Sequence, residues 1–162
     1  MISTKALALA GEWEDKLIMI GPDVWKGTGE HPEFREDREL FKSWRVNVEA
    51  RDLKIRRGRW KIPGNPIVIL VDYKGFFRKK DEIFRDLWLN YKVDSLTGQW
   101  DYIEPALFGF AAGKVIECFY HHYLTLSDKI VAQFHEWMTG TGLLYLESNV
   151  PQAGTIFTTH AT

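Results

Sequence analysis

Residues 105–126 read PALFGFAAGKVIECFYHHYLTL and form the longest stretch of low charge in this 162-residue chain. Pro105 suits the first turn of a helix, and at 1.5 Å per residue the stretch is long enough to cross a bilayer core of about 30 Å. Gly109 and Gly113 share a helix face with Ala112 beside them, which lets a second backbone approach closely. The stretch therefore predicts one long apolar helix, transmembrane in our leading interpretation, with Gly109, Ala112 and Gly113 as helix-packing residues.

The flanks of this helix suggest an orientation. Trp100 and Tyr102 precede it, and several tyrosines crowd its far end, as in the aromatic belts at the two faces of a membrane. Residues 51–92 carry 12 basic and 5 acidic side chains, a net charge of +7, whereas residues 1–50 and 93–162 carry −3 and −5. Because positive residues favour the cytoplasmic or matrix side, the pattern places the N-terminus there.

Two charged residues inside the stretch keep an alternative open. Lys114 and Glu117 would each cost about 2.5–3.5 kcal/mol at a bilayer centre, unless they face protein. The alternative is a core helix of a soluble domain, in which the glycines give close packing.

For the whole chain we expect an α+β fold that is mostly helical. A short strand pair near residues 45–73 includes Ile67–Val71, a run of β-branched and leucine residues, and a helical spacing of apolar residues follows over 76–91. The expected segments are an N-terminal arm with short helices (1–44), a basic segment with strands and an amphipathic helix (45–100), the apolar helix (101–126), and a C-terminal helix and tail (127–162).

A second function is suggested at the end of the best strand candidate. Asp72 and Lys74 follow Ile67–Val71, and Asp52 lies 20 residues upstream of Asp72. An acid on one strand and an acid-x-Lys on the next is the pattern of PD-(D/E)xK nucleases, in which carboxylates hold Mg²⁺ and the lysine activates water. Asp52, Asp72 and Lys74 are therefore the catalytic residues of this alternative, and Mg²⁺ its cofactor.

The histidines and the cysteine do not suggest a metal site. His121 and His122 are adjacent, so a helix points them about 100° apart, and neither they nor His135 has a cysteine or carboxylate at the spacing of a known site. Cys118 is the only cysteine. We therefore expect no metal and no cofactor in the leading interpretation.

The region around residues 80–126 resembles subunit f of the mitochondrial F-type ATP synthase. The resemblance rests on Phe84-Arg85, Trp88 and Tyr91, then a polar break, the apolar helix, and the aromatic run 119–124. Members of that family have an aromatic, arginine-rich segment on the matrix side and one membrane helix, and most end soon after it, whereas this chain continues. The resemblance implies a structural role beside the rotor ring, with no chemistry of its own.

Together these observations predict a non-catalytic accessory subunit of a membrane complex, most specifically the ATP synthase of the mitochondrial inner membrane, which supports proton transport through complex assembly and lipid binding. Expected partners are the other subunits and an anionic lipid such as cardiolipin, but not nucleic acid. The alternatives are the Mg²⁺-dependent nuclease and a soluble structural subunit of a viral or other large assembly. The residues expected to contact lipid or partners are Arg56, Arg57, Arg59, Lys79, Lys80, Arg85, Trp88, Tyr91, Trp100 and Tyr102.

Overall fold

The structure is a computed structural model that describes residues 2–24 and 33–160. The chain divides into two compact units, Met1–Asp72 and Tyr73–Thr162. In chain order, the helices and strands of the first unit are α1 (Ile2–Trp13), β1 (Ile18–Pro22), β2 (Phe34–Glu36), α2 (Arg45–Glu49), β3 (Lys54–Trp60) and β4 (Ile67–Asp72).

Strand β4 lies inside the sheet of the first unit, whose strand order is β1-β4-β3-β2. It pairs in parallel with β1, with Ile18 opposite Ile67, and antiparallel with β3, with Lys54 opposite Asp72. All residues of β4 are buried. A strand with neighbours on both edges and cover on both faces is expected to be a continuous apolar run, and the predicted strand at 67–71 is present here.

Helix α1 contacts the turn between β3 and β4 through small residues. Ala6 and Ala10 are four residues apart and both buried. Gly64 in the turn has a φ of 89°, and a Cβ there would lie 2.9 Å from the Cβ of Ala10. Only glycine meets both the backbone angle and the lack of space.

A bidentate ion pair ties the end of β1 to β3. The Arg56 guanidinium donates to both carboxylate oxygens of Asp23, at 2.9 and 2.6 Å, and the side chain of Asp23 is only 3% exposed. The hydrogen bond to Asp23 raises the pKa of Arg56 above its usual value, while partial burial opposes the shift. The backbone N–H of Asp23 also donates to the carbonyl of Val71 at 2.8 Å, so this residue joins three strands.

The described part of the second unit contains three α-helices and a pair of parallel strands. In chain order its elements are α3 (Lys80–Tyr91), α4 (Trp100–Tyr123), β5 (Val131–His135), α5 (Gly140–Asn149) and β6 (Gly154–Thr158), with 3₁₀ turns at Lys74–Lys79 and Trp137–Thr139. Strands β5 and β6 pair from Val131 opposite Gly154 to His135 opposite Thr158. Parallel neighbours need a crossover connection, and α5 supplies it.

Helices α4 and α5 pack through glycines. A Cβ on Gly142 would lie 2.4 Å from the backbone oxygen of Gly109, and one on Gly113 would lie 2.9 Å from the ring of Tyr145. The hydroxyl of Thr141 donates to the carbonyl of Ala106 at 2.6 Å. Gly109 and Gly113 therefore pack against α5, a helix of the same unit. The prediction was that they pack against a neighbouring helix in a membrane assembly.

The interpretation of α4 as a transmembrane helix is wrong. Within residues 2–24 and 33–160, no helix combines the length and apolar character needed to cross a bilayer. The two charged residues that argued against a membrane are accommodated by α5: Tyr145 donates its hydroxyl to Glu117 at 2.6 Å, and the Lys114 ammonium lies 5.9 Å from the centre of the Tyr145 ring. A helix that is covered by protein on several sides carries apolar residues around most of its circumference, as a membrane helix does.

The predicted fold class, mostly helical with an N-terminal arm and a C-terminal helix and tail, is also wrong. The region 1–44, of which residues 25–32 lie outside the described ranges, contains α1 and two strands of the sheet. The proposed strand start near residue 45 is helical, because Trp44 and Val48 are both buried at helical spacing. The proposed last helix is β5, in which alternate residues Ala132 and Phe134 are buried, and the proposed tail contains β6.

The packing of α4 against α5 predicts that an added methyl group destabilises the protein at Gly142 but not at Gly140. Gly142→Ala should lower the free energy of unfolding by about 2 kcal/mol, because the added methyl overpacks against backbone that cannot rotate away. Gly140→Ala is the matched control, since a Cβ there meets only Phe157 at 3.9 Å. Chemical denaturation of the full-length protein measures both, and equal stabilities would contradict the close approach.

The ion pair at Asp23 predicts a second stability difference. Asp23→Asn should cost about 1.5 kcal/mol, because a partly buried guanidinium loses its charged acceptor. Asp15→Asn removes the carboxylate from the Arg59–Asp15 pair, but Asp15 is 71% exposed and such a pair contributes little. Denaturant midpoints that shift equally for the two variants would contradict a special role for Asp23.

Candidate functional site

Two histidines meet at one end of the parallel strand pair. His135 is the last residue of β5, and His160 lies just beyond β6. Nδ1 of His135 is 3.0 Å from Nε2 of His160, and the two rings lie edge to edge, with centroids 5.2 Å apart and planes 10° from parallel. One of these two nitrogens donates and the other accepts in this contact.

Glu136 lies between the two histidine-bearing segments and has an unusual backbone conformation. Its φ of 62° and ψ of 167° lie in a region that is essentially restricted to glycine. Its N–H donates to the carbonyl of Thr158 at 2.9 Å, and its carboxylate accepts a hydrogen bond from the backbone N–H of His160. A non-glycine residue in this region costs about 1–3 kcal/mol and is usually found at functional sites.

Residues next to the histidine pair make further contacts at this end of the two strands. The hydroxyl of Thr139 donates to the carbonyl of His135 at 2.8 Å. Trp137, 55% exposed, lies parallel to Tyr102 with centroids 6.0 Å apart. The hydroxyl of Tyr102 is 2.6 Å from that of Ser95.

This arrangement is suited to binding a polar ligand. The carboxyl ends of parallel strands are where α/β proteins bind ligands. Two imidazoles and a carboxylate supply both donors and acceptors. In the described part of the chain, no cluster of three or more histidine, cysteine or acidic residues is arranged to hold a metal ion. We define the candidate site as His135, Glu136 and His160.

The three arginines of β3 that were predicted to contact lipid or partner subunits are bonded within the first unit. Arg56 binds Asp23 as described, Arg57 donates to the carbonyl of Phe41 at 2.8 Å, and Arg59 donates to Asp15 at 2.8 Å and to the carbonyl of Asn65 at 3.1 Å. Arg56 and Arg59 are thus each paired with a carboxylate of the same unit, and Arg57 is bonded to a backbone carbonyl.

The predicted contact residues of the second unit are spread over several elements and do not form one site. Lys79 is exposed in the 3₁₀ turn, Lys80 binds Asp81, and Arg85 is 3.7 Å from Asp86. The aromatic members contact other side chains or backbone: Trp88 lies under the ammonium of Lys92, Tyr91 donates to the carbonyl of Leu144, Trp100 stacks on Phe77, and Tyr102 bonds Ser95.

The structure does not give the nuclease residues the arrangement that their pattern needs. Asp52 is exposed in the turn before β3, with a φ of 57°, rather than on a strand. Asp72 is buried at the end of β4, and Lys74 begins a 3₁₀ turn.

Of the predicted helix-packing residues, Gly109 and Gly113 contact α5, and Ala112 is buried.

The sequence patterns do not predict the candidate site. They suggest His135 only as a possible metal ligand and assign no role to Glu136 or His160. Two signals were available in the sequence: apolar Ala132 and Phe134 on either side of Gln133, and the β-branched and aromatic run Thr155-Ile156-Phe157-Thr158. Each is short, and nothing local indicates that the two strands are neighbours.

Comparison with known proteins gives the family. Residues 1–162 match a family model described as glycogen synthase. The chain is 29% identical to the glycogen [starch] synthase of Neurospora crassa over 163 residues, which is 100% of this chain and 23% of that protein. It is 30% identical to the human liver glycogen [starch] synthase over 168 residues, with coverage of 100% and 23%. The chain thus spans about a quarter of the length of the curated relatives it matches.

These findings overturn the functional predictions. The resemblance to ATP synthase subunit f is wrong, because the whole chain matches a different family. Three further predictions depended on that resemblance and on a membrane helix, and they are wrong as well. They are the accessory role, the lipid and subunit partners, and the mitochondrial inner-membrane location. The nuclease and the structural-subunit alternatives are also wrong, as is the prediction of a non-catalytic protein, since the relatives are named as synthases. The chain belongs to the glycogen synthase family.

Proposed function

We propose that this chain carries part of the catalytic centre of a glycogen synthase. In this proposal the full-length protein transfers a glucosyl residue from UDP-glucose to a hydroxyl at the end of a glycogen chain. The support is the family of the chain, together with the meeting of His135, Glu136 and His160 at the carboxyl ends of β5 and β6.

The proposed reaction requires proton and charge management that imidazoles can supply. The bond between the anomeric carbon of glucose and the phosphate oxygen breaks, and a bond from that carbon to the acceptor oxygen forms. The acceptor hydroxyl gives up its proton, and negative charge stays on the diphosphate. A histidine ring can accept a proton or donate a hydrogen bond to a phosphate at neutral pH.

Within this proposal the three residues have different roles. In this proposal His135 and His160 contact the sugar or the diphosphate, since an imidazole can both donate and accept hydrogen bonds. Glu136 is a positioning residue, because its carboxylate holds the backbone N–H of His160 and its own N–H holds β6.

Removing either imidazole should abolish most of the activity. His135→Ala and His160→Ala should each lower kcat for glucosyl transfer by roughly 100-fold or more, the usual effect of losing a proton-transfer or charge-stabilising group. His121→Ala is the control, because His121 is a half-exposed histidine on α4 that lies 4.0 Å from Glu117. A His160→Ala variant that is folded and keeps more than half of the wild-type kcat would overturn the proposal.

The backbone of Glu136 predicts an unusual order of stabilities. Both Glu136→Ala and Glu136→Gly remove the carboxylate, but only glycine also relieves the strain. The glycine variant should be more stable than the alanine variant by about 1 kcal/mol or more, the reverse of the usual order. Both should lose activity, because His160 is no longer held. Denaturation curves and kcat values measure the two effects, and an alanine variant at least as stable as the glycine variant would refute the strained conformation.

A further inference from the structure

Thr139 occupies the N-cap position of α5, but its hydroxyl does not cap that helix. Threonine is favoured at an N-cap because its side-chain oxygen accepts a hydrogen bond from a backbone N–H of the first turn. In the described part of the chain, the Thr139 side chain makes no such bond to α5. Its hydroxyl instead donates to the carbonyl of His135 at 2.8 Å, with the carbonyl of Glu136 as a second acceptor at 3.3 Å.

These two carbonyl groups lie on either side of the strained residue Glu136. The carbonyl of His135 belongs to the peptide plane before the Cα of Glu136, and the carbonyl of Glu136 belongs to the plane after it. The φ and ψ angles of a residue are the rotations of these two planes. A single donor that binds both oxygens therefore holds both backbone angles of Glu136.

The turn that carries Thr139 is itself well anchored. The N–H of Thr139 donates to the carbonyl of Glu136 at 3.2 Å. A Cβ on Gly109 would lie 3.1 Å from the carbonyl oxygen of Thr139, so the turn packs closely on α4. From the other side, the N–H of Glu136 donates to the carbonyl of Thr158 in β6 at 2.9 Å. Glu136 is thus held between a turn fixed on α4 and the neighbouring strand.

We propose that Thr139 is a positioning residue for the two imidazoles of the candidate site and acts through the backbone of Glu136. The inference rests on the proposed function, which gives the imidazoles their chemical role. The carboxylate of Glu136 accepts the backbone N–H of His160, and its position depends on the backbone angles that Thr139 holds. Without the hydroxyl, Glu136 relaxes to a less strained conformation, and His160 is released from His135.

Thr139→Val tests the proposal in the full-length protein, because it removes the hydroxyl and nearly keeps the shape of the side chain. We expect kcat for glucosyl transfer from UDP-glucose to glycogen to fall about tenfold, since a displaced reacting group loses rate steeply with distance. KM for both substrates should stay within about twofold, because the loss falls on transition-state contacts. Thr139→Ser keeps the hydroxyl and should retain most of the wild-type kcat.

Thr141→Val is the matched control, two residues away. The hydroxyl of Thr141 is buried and donates to the carbonyl of Ala106 at 2.6 Å, and it makes no bond to the candidate site among the described residues. This variant should unfold at a lower denaturant concentration, because a buried hydrogen bond is lost, but it should keep the wild-type kcat while folded. Thr139→Ala removes the same hydroxyl as Thr139→Val and takes its place if the valine variant does not fold.

A chemical probe detects the histidine contact without any turnover. Diethyl pyrocarbonate acylates an imidazole nitrogen with a free lone pair, and Nε2 of His160 is engaged with Nδ1 of His135. In Thr139→Val, the acylation rate of His160, followed by mass spectrometry, should rise several-fold, while half-exposed His121 reacts at its wild-type rate. In a Glu136→Gly background Thr139→Val should add nothing, because two changes that act through one link are not additive.

Three results would overturn the role of Thr139. The first is a folded Thr139→Val variant with wild-type kcat and wild-type acylation of His160. The second is an equal loss of kcat in Thr141→Val, which would mean a general effect of weakening the helix contact. The third is a further rise in acylation when Thr139→Val is added to Glu136→Gly. If the wild-type protein transfers no glucose while Thr139→Val still exposes His160, the positioning role stands and the proposed function falls.

Discussion

The close approach of α4 and α5 is the constraint on which the second unit depends. The backbone of Gly109 meets Gly142 where neither position has room for a side chain. Because α5 connects β5 to β6, the seating of α5 on α4 also fixes the level at which the two strands end. Both histidines of the candidate site lie at those ends. The packing of Gly109, Gly113 and Gly142 with Tyr145 thus determines whether the two imidazoles can meet. The two histidines are 25 residues apart in the sequence.

Much of the secondary structure could be predicted where a segment is long and apolar. The strand Ile67–Asp72 and the helices Lys80–Tyr91 and Trp100–Tyr123 lie close to their predicted positions, because burial imposes a strong pattern on each. The environment of α4 could not be predicted. Its partner is another helix of the chain, and close packing in protein and in lipid both select glycine and alanine. Lys114 and Glu117 carried the deciding information, and their partner Tyr145 lies 28 or more residues away.

The candidate site was beyond prediction for a different reason. It depends on a pairing between two five-residue strands whose local patterns are weak, and on one residue, Glu136, in a conformation that its own type disfavours. Sequence patterns report the average preference of a residue, and a strained residue contradicts that preference. The charged residues that did stand out, such as Arg56 and Arg57, are bonded to a carboxylate and a backbone carbonyl instead.

The arginines of β3 show how far linear charge can differ from surface potential. The middle of the sequence has a large positive excess, yet Arg56, Arg57 and Arg59 each donate to oxygen atoms of their own unit. A guanidinium has five N–H donors, and each of these three arginines already uses two of its nitrogens for bonds within the unit. These three arginines therefore connect strands and turns within the first unit, and the part of their hydrogen-bonding capacity used there is not offered to anionic molecules in solution.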